Sequence, residues 1–222
     1  MNISRKLAAE YVGTAGLLAI VVGSGIMGER LAAGNAAIAL LANSIATGAG
    51  LVVLIYGFGH ISGAHFNPAV TLMEMISGRQ NSSESIAFIA VQIAGAFTGV
   101  AAANLMFELP VFFSSGKIRD GSSQLLGEFI ATFGLIGIIR LGVKFEPRLV
   151  GLLVACYITA AYWFTSSTSF ANPAVTLARS VSDTFAGIAP QSILGFIAGQ
   201  LCGAFAGMYF FDWLTRESTE NV

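Results

Sequence analysis

The sequence predicts an all-α membrane protein with six transmembrane helices and two re-entrant half-helices. Three observations predict it: an apolar composition, six long apolar segments, and a six-residue string that occurs twice. Of the 222 residues, 55% are hydrophobic and 10% are charged, and the mean hydropathy is +0.76. Soluble domains carry about 25% charged residues, so we expect lipid as the solvent. The net charge of −1 argues against nucleic acid as a partner.

Six apolar segments account for the transmembrane helices. Each is close to the roughly 20 residues that a spanning helix needs. They lie at about Leu7–Met27, Ala37–Tyr56, Ile86–Leu105, Gln124–Leu141, Leu149–Phe164 and Ser192–Leu214. The first segment carries Glu10 and continues into a multispan pattern, so we interpret it as a retained span rather than a signal peptide. The polar tail, residues 217–222, predicts a frayed end.

The repeated string predicts the two half-helices. Asn-Pro-Ala-Val-Thr-Leu occurs at Asn67–Leu72 and again at Asn172–Leu177. Asparagine is a strong N-cap, and proline is favoured in the first helical position. The apolar stretches that begin there, Asn67–Ile76 and Asn172–Val181, are only about ten residues long, which suits re-entrant segments. At 1.5 Å per residue each measures about 15 Å, so two end to end cross a core of about 30 Å.

The two halves of the chain resemble each other. The segment Glu10–Leu17 matches Glu128–Leu135, and Gln92–Gly99 matches Gln200–Gly207. Each half holds three spans and one half-helix, and an odd number of spans places the copies in opposite orientations, as an inverted repeat. We therefore expect a single channel domain over residues 1–222, with halves at about 1–113 and 118–222. With both termini in the cytoplasm, seven of the eleven Lys and Arg residues face inward, in agreement with the positive-inside rule.

The motifs resemble those of the aquaporin/aquaglyceroporin, or major intrinsic protein, family over essentially the whole chain. The residues that carry the resemblance are Gly59–Val70, the second Asn172-Pro173-Ala174, and the paired Glu10 and Glu128. The resemblance implies a right-handed six-helix bundle, assembled as a homotetramer with one pore per subunit, in a bacterial cytoplasmic membrane. No nucleophile–base pair, metal cluster or phosphate loop occurs in the sequence, so we expect no enzymatic activity, no cofactor and no bound metal.

The pore is expected where the two half-helices meet. Each helix N-terminus carries about half a positive charge, and together they oppose the entry of cations. Each asparagine oxygen caps its own helix, which leaves the amide NH2 to point into the lumen. Backbone carbonyls in the preceding loops supply acceptors, since irregular backbone is tolerated where it lines a cavity. The pore motifs are Asn67, Pro68, Ala69, Asn172, Pro173 and Ala174, and the expected pore-lining backbone is Gly63, Ala64, His65, Thr168, Ser169 and Phe170.

The selectivity filter departs from the family pattern. Val175 stands where relatives usually have the filter arginine, and spacing assigns Thr47, Ala160 and Ser169 to the other filter positions. All four are small and uncharged, so we expect a wide, uncharged constriction. Arg179, one helical turn after Val175, is either a snorkelling helix-end arginine or a source of positive charge near the outer mouth. Nearby aromatic side chains are candidates to refill the filter: Phe66, Tyr162, Trp163 and Phe170.

Other polar and small residues in the spans have structural explanations. Glu10 and Glu128 lie at equivalent repeat positions, so we expect both carboxylates to brace the re-entrant loops by accepting backbone N–H bonds, with proton coupling as the alternative. Glycines 195, 199, 203 and 207 predict close packing of the sixth span. Cys156 and Cys202 lie in apolar runs, which predicts buried free thiols.

The predicted function is that of a passive channel for small uncharged solutes. The candidates are water, glycerol-like polyols and metalloid acids such as arsenous acid or methylated arsenicals, because Val at the filter-arginine position resembles bacterial members associated with arsenic resistance. Two alternatives use the same site: a proton-coupled secondary transporter, which also employs inverted repeats and broken helices, and a water-selective channel in which aromatic side chains refill the filter. A membrane junction or structural protein of the same fold is a third alternative.

Overall fold

A computed structural model describes residues 1–216, which contain eight α-helices. The predicted frayed end at 217–222 lies outside the described residues. Six helices are long and two are short, which confirms the predicted class. They are α1 (Ile3–Leu31), α2 (Ala36–Ser62), α3 (Pro68–Ile76), α4 (Ser82–Met106), α5 (Ser122–Phe145), α6 (Val150–Phe164), α7 (Pro173–Arg179) and α8 (Ile193–Leu214).

Most long helices extend beyond the apolar segments because polar caps lie outside those segments. The side-chain oxygen of Asn2 accepts a hydrogen bond from the Ser4 N–H, and Asn35 and Asn81 cap α2 and α4 in the same way. α2 ends where Gly63 adopts a left-handed conformation at φ +94°. Helices α1, α2, α4, α5 and α8 are long and apolar enough to cross a membrane. The protein is therefore an integral membrane protein.

α6 is the shortest of the six long helices. It spans 15 residues, or about 22 Å at 1.5 Å per residue. Its last residue is Phe164, and the chain then runs without helix from Thr165 to the next cap at Asn172. The remaining length of this segment is therefore irregular backbone, which becomes part of the site described below.

Equivalent helices pack in the same pattern in the two halves. α1 packs on α2 and α4, and α5 packs on α6 and α8. Glycines of α4 and α8 let the helix backbones approach closely, because a Cβ atom there would overlap a carbonyl oxygen of the facing helix. The pairs are Gly95 with Tyr11, Gly99 with Ala15, Gly203 with Phe129, and Gly207 with Phe133.

The two cysteines differ from expectation. Both are free thiols, but Cys156 and Cys202 are exposed on the outside of the subunit rather than buried. An apolar run in a membrane helix includes the side that faces away from the bundle, so apolar neighbours in sequence do not imply burial within the protein. The prediction of buried thiols was wrong for this reason.

Candidate functional site

The N-termini of α3 and α7 meet at the centre of the molecule. The side-chain oxygen of Asn67 accepts the Ala69 N–H at 2.9 Å, and that of Asn172 accepts the Ala174 N–H at 3.0 Å. Proline follows each asparagine in the first helical position, where no intrahelical N–H bond is needed. Local sequence therefore starts both half-helices at the same kind of cap.

The amide groups of the two asparagines cross between the halves. Asn67 Nδ2 donates to the carbonyl of Ala171 at 2.8 Å, and Asn172 Nδ2 donates to the carbonyl of Phe66 at 2.8 Å. The expectation of a wholly free NH2 group is therefore corrected. One N–H of each amide ties the caps together, and one remains available, because each NH2 group has two hydrogens.

From this centre the half-helices run to opposite ends of the molecule. Glu74, in the last turns of α3, pairs with Arg140 near the end of α5 and lies close to the C-terminal end of α8. Arg179, the last residue of α7, donates instead to Ala186 in the segment that precedes α8. α3 and α7 therefore point toward opposite ends of α8.

A cavity of about 320 Å3 follows the two half-helices. Both Asn67 and Asn172 line it. Its α3 mouth, the end that contains Glu74, Arg140 and Lys144, lies opposite its α7 mouth, the end that contains Val175, Arg179 and Phe170. Apolar side chains line much of the wall between them, including Leu17, Val21, Leu51, Leu135, Val154 and Ile158.

Backbone in the left-handed region shapes the loops before each asparagine. Ala64 and Phe66 have φ of +52° and +49°, and their repeat equivalents Ser169 and Ala171 have φ of +50° and +49°. A non-glycine residue costs about 1–2 kcal/mol in this conformation, so both loops need external support. The same strain at equivalent positions indicates one construction used twice.

The support for the first loop comes from Glu10. One carboxylate oxygen accepts the His65 N–H at 3.0 Å and the other accepts the Phe66 N–H at 2.7 Å. The carboxylate also accepts bonds from Ser62 Oγ and Gln92 Nε2, so both oxygens have protein donors.

Glu128 supports the second loop in the same way. Its oxygens accept the Phe170 and Ala171 N–H groups, both at 2.9 Å, and Gln200 Nε2 at 2.6 Å. Both glutamates are fully buried, and neither lines the cavity. These contacts are the ones that a bracing role requires.

The cavity wall differs in part from the predicted pore-lining backbone. Gly63, Ala64 and His65 line the cavity on the α3 side, together with Phe66. On the α7 side the lining residues run from Ser169 to Asn172, and Thr168 is not among them. The Thr168 hydroxyl instead lies 3.5 Å from an Arg119 guanidinium nitrogen. The left-handed turn at Thr168, with φ +61°, precedes the stretch that reaches the lumen.

The filter prediction was wrong at one of its four positions. Thr47, Ser169 and Val175 line the cavity, but Ala160 is exposed on the outer side of α6. Tyr162 lines the cavity instead, and its hydroxyl lies 3.2 Å from Thr47 Oγ1. Successive side chains in a helix are about 100° apart around its axis. A two-residue change in the alignment therefore places a side chain on the opposite face. Spacing counted back through the irregular stretch before Asn172 could not set that alignment.

Three of the four candidate aromatics reach the cavity. Phe66, Tyr162 and Phe170 line it, and Trp163 does not. The Trp163 side chain is exposed, and its indole N–H donates to Ser44 Oγ at 3.0 Å.

Two arginines lie at the α7 mouth. Arg179 is only 2% exposed and lines the cavity, and its guanidinium carbon lies 3.4 Å from the centre of the Phe170 ring. A snorkelling position is therefore excluded for Arg179. Arg119, from the connection between the halves, approaches the same ring at 5.1 Å. Burial lowers the pKa of the Arg119 guanidinium from its ordinary value, the mark of a charge that has lost much of its water. Sequence reasoning missed Arg119, which belongs to no motif.

The α3 mouth also carries charged side chains, but there they are paired. Arg140 is almost fully buried and contacts Glu74 at 2.7 Å and Asp212 at 3.3 Å. The half-exposed Arg79 approaches the same two carboxylates at 3.4 and 3.5 Å. Ser77 Oγ accepts a further bond from Arg140 at 2.6 Å. The positive and negative charges of this cluster are equal in number.

Comparisons with known proteins agree on one family. The family model described as "Major intrinsic protein" matches residues 1–152. The chain is 51% identical over 215 residues to the aquaglyceroporin AqpS of Rhizobium meliloti (strain 1021), covering 97% of this chain and 92% of that relative. It is 31% identical over 214 residues to aquaporin NIP1-1 of Oryza sativa subsp. japonica, covering 94% and 73%. The solved aquaglyceroporin from Plasmodium falciparum shares the fold, with a TM-score of 0.71, 18% identity, and coverage of 96% and 95%.

Proposed function

Because this chain belongs to the major intrinsic protein family, whose members are membrane channels and not enzymes, we propose that it passively conducts small uncharged solutes. The solutes are water, glycerol-like polyols and metalloid acids such as arsenous acid or methylated arsenicals. The observation that carries the proposal is the cavity of about 320 Å3 that both Asn67 and Asn172 line. Beside the two asparagines its polar groups are amide N–H donors and backbone carbonyls, which suit hydroxyl groups, and the wall between the two charged mouths is largely apolar.

The size limit of the pore follows from the corrected filter. Tyr162 places a phenol where a methyl group was expected, whereas Val175 leaves space that a filter arginine would fill. We therefore expect a filter narrower than one built from four small side chains, but open on the α7 side at Val175. Its proposed residues are Thr47, Tyr162, Ser169 and Val175. A compact solute that carries several hydroxyl groups, such as glycerol or arsenous acid, fits this description.

A proton-coupled transporter is less well supported than a passive channel. Such a transporter needs a carboxylate that substrate or water can reach during the cycle. The proton-coupling candidates Glu10 and Glu128 are fully buried, away from the cavity, and their oxygens already accept bonds from backbone and glutamine donors. The carboxylates that do line the cavity, Glu74 and Asp212, are ion-paired with Arg140. A water-selective channel remains the second candidate, because the Tyr162–Thr47 contact narrows the filter.

Solute flux into proteoliposomes, followed by stopped-flow light scattering, tests the proposal. Water, glycerol and arsenous acid are compared in the native protein and in Val175→Arg. We expect flux of all three in the native protein, with a selective loss of glycerol and arsenous acid flux in the variant. Fast water flux with no glycerol or arsenous acid flux in the native protein would support the water-selective candidate. Uphill solute accumulation driven by a proton gradient would refute passive conduction.

The assembly and orientation are further parts of the proposal. We expect a homotetramer with one pore per subunit, which the mass of the detergent-solubilised complex, corrected for bound detergent, tests. We also expect the α3 mouth and both termini to face the cytoplasm of a bacterial cell. Arg79, Arg140 and Lys144 line the cavity at that mouth, in agreement with the positive-inside rule. Protease protection of an N-terminal tag in inverted and right-side-out vesicles tests this orientation.

A further inference from the structure

The α7 mouth contains two guanidinium groups without an ion-pair partner in the described part of the chain. Arg179 and Arg119 both lie against the Phe170 ring, at 3.4 and 5.1 Å from its centre. Within residues 1–216, no carboxylate forms an ion pair with either arginine. Glu128 is close enough to act on both electrostatically, but the hydrogen bonds that its oxygens accept come from the loop and from Gln200.

Arg179 is held in place by few bonds, which leaves its end groups available to the lumen. Its Nε donates to the carbonyl of Ala186, and the face of Phe170 supports the planar group. No hydrogen bond from its two terminal nitrogens to another residue of the range 1–216 is found, although the side chain lines the cavity. A buried guanidinium has five N–H donors, so the unused donors need partners in the lumen.

Arg119 binds the neighbouring backbone and, unlike Arg179, does not face the lumen. Its Nε donates to the carbonyl of Gly187 at 2.9 Å, and one terminal nitrogen lies 3.4 Å from the carbonyl of Ser167. It does not line the cavity. Arg119 therefore positions the backbone around Arg179 and adds a second positive charge behind the Phe170 ring.

The position of Arg179 on α7 relates it to the filter. It follows Val175 by four residues, and side chains four apart lie on the same face of a helix. Both side chains line the cavity. The family resemblance puts the filter arginine at position 175, where this chain has valine. A guanidinium is nevertheless present, one turn farther from Asn172.

We propose that Arg179, oriented by Phe170 and reinforced by Arg119, supplies the positive charge that excludes cations at the α7 mouth of this pore. This inference rests on the proposed function, since it requires that the cavity is the conduction path. The charge opposes entry of cations at the α7 mouth, and the unused N–H groups donate to oxygen atoms of passing solutes. Because the guanidinium lies at position 179 and not at position 175, the side chain at position 175 stays small. One pore can therefore exclude cations and still offer a wide passage.

Cation leak and solute flux measured on the same proteoliposomes test the inference. Proton and sodium entry under an imposed membrane potential is compared with glycerol flux in the native protein, Arg179→Gln and Arg179→Lys. We expect cation entry to rise at least tenfold in Arg179→Gln, to stay near the native value in Arg179→Lys, and glycerol flux to remain measurable in both.

Arg30→Gln is the matched control. Arg30 also lies over an aromatic ring, at 5.1 Å from the centre of Phe107, and donates to a backbone carbonyl at 2.8 Å, but it lies outside the cavity. Its substitution should leave cation entry unchanged. A rise in Arg30→Gln equal to that in Arg179→Gln would overturn the inference, because the effect would then be one of general surface charge.

A second pair of variants covers the case in which Arg179→Gln does not fold. Val175→Glu leaves Arg179 in place and sets a carboxylate one turn away, whereas Val175→Gln has the same size without the charge. We expect higher cation entry in Val175→Glu than in Val175→Gln, and equal entry in both would refute the role of the Arg179 charge.

Glycerol flux in the native protein with unchanged cation entry in the variants would refute this inference alone. Absence of glycerol and arsenous acid flux in the native protein would refute the solute proposal itself.

Discussion

The two half-helices start from the same six-residue string and carry opposite charges in their last turns. Glu74 occupies in α3 the position that Arg179 occupies in α7, since each lies seven residues after its asparagine. Glu74 contacts Arg140 at 2.7 Å, in a cluster where positive and negative groups balance. Within the described residues, the Arg179 guanidinium donates to a backbone carbonyl and lies over an aromatic ring, and no carboxylate pairs with it. The repeat therefore builds a symmetric centre, and the residues after it make two different mouths.

The difference indicates a division of tasks along the pore. The shared caps and braced loops are needed on both sides, because the two half-helices begin at the same place, where their caps bond to each other. The two mouths do not need matching residues, because neither of them has to start a helix. A paired cluster stabilises the end of α3 against α5 and α8, whereas the guanidinium at the end of α7, which has no carboxylate partner within residues 1–216, is the proposed positive charge at the α7 mouth.

The largest expected loss of stability comes from removing the glutamates that brace the two loops, and it tests whether the two halves are braced alike. Glu10→Leu and Glu128→Leu each leave two backbone N–H groups of a strained loop without acceptors. We expect each to lower the free energy of unfolding by about 4 kcal/mol, at 1–3 kcal/mol per unsatisfied buried donor. Thermal unfolding in detergent measures the loss, with the exposed Glu146→Leu as control. Strongly unequal losses would show that the two halves are not braced alike.

The next effect compares the charges within the α3 mouth. Arg140→Gln removes the buried partner of Glu74 and Asp212, and we expect a loss of about 3 kcal/mol, because breaking a buried ion pair leaves uncompensated charge. Arg79→Gln removes a half-exposed arginine from the same carboxylates, and should cost less than about 1 kcal/mol. Unfolding midpoints of the two variants give the comparison, and equal costs would contradict the assignment of Arg140 as the buried centre of the cluster.

Helix packing is expected to fail equally in the two halves. Gly95→Ala and Gly203→Ala, at equivalent positions of the two repeats, each place a methyl group against a carbonyl of the facing helix, which should cost about 2 kcal/mol, within the range for overpacking. A methyl group at Gly57 on α2 would meet open space, so Gly57→Ala is the control and should be neutral or slightly stabilising. The measurement is again thermal unfolding, and a cost in only one half would break the packing equivalence of α1–α4 and α5–α8.

The smallest expected effect concerns the corrected filter at the α7 mouth. Tyr162→Phe removes the hydroxyl that lies 3.2 Å from Thr47 Oγ1, which should lower the free energy of unfolding by about 1 kcal/mol. Tyr162→Ala should raise the ratio of glycerol to water flux, because it opens the cavity wall. Ala160→Leu, on the outer side of α6, should leave the ratio unchanged. A response to Ala160→Leu in place of Tyr162→Ala would restore the original filter alignment.

Much of the fold could be predicted because its signals are local. An asparagine cap followed by proline starts a helix wherever it occurs, and about 20 apolar residues suffice to cross a bilayer. The odd number of spans in each copy then dictates opposite orientations of the two halves. These rules predicted the six long helices and both half-helices, and the structure changes mainly their ends, where the caps Asn2, Asn35 and Asn81 lie beyond the apolar runs.

The wall of the pore depends on contacts that sequence spacing does not encode. Whether Ala160 or Tyr162 faces the lumen depends on how α6 is rotated against the irregular backbone before Asn172, and a two-residue change reverses the answer. Arg119 reaches the site from the connection between the halves, through carbonyls of Gly187 and Ser167 that are distant in sequence. The sequence by itself therefore determined the class, the repeat and the two caps, which follow from local propensity and length. Only tertiary packing decided which side chains meet at each mouth, because rotation and loop path are set by non-local contacts.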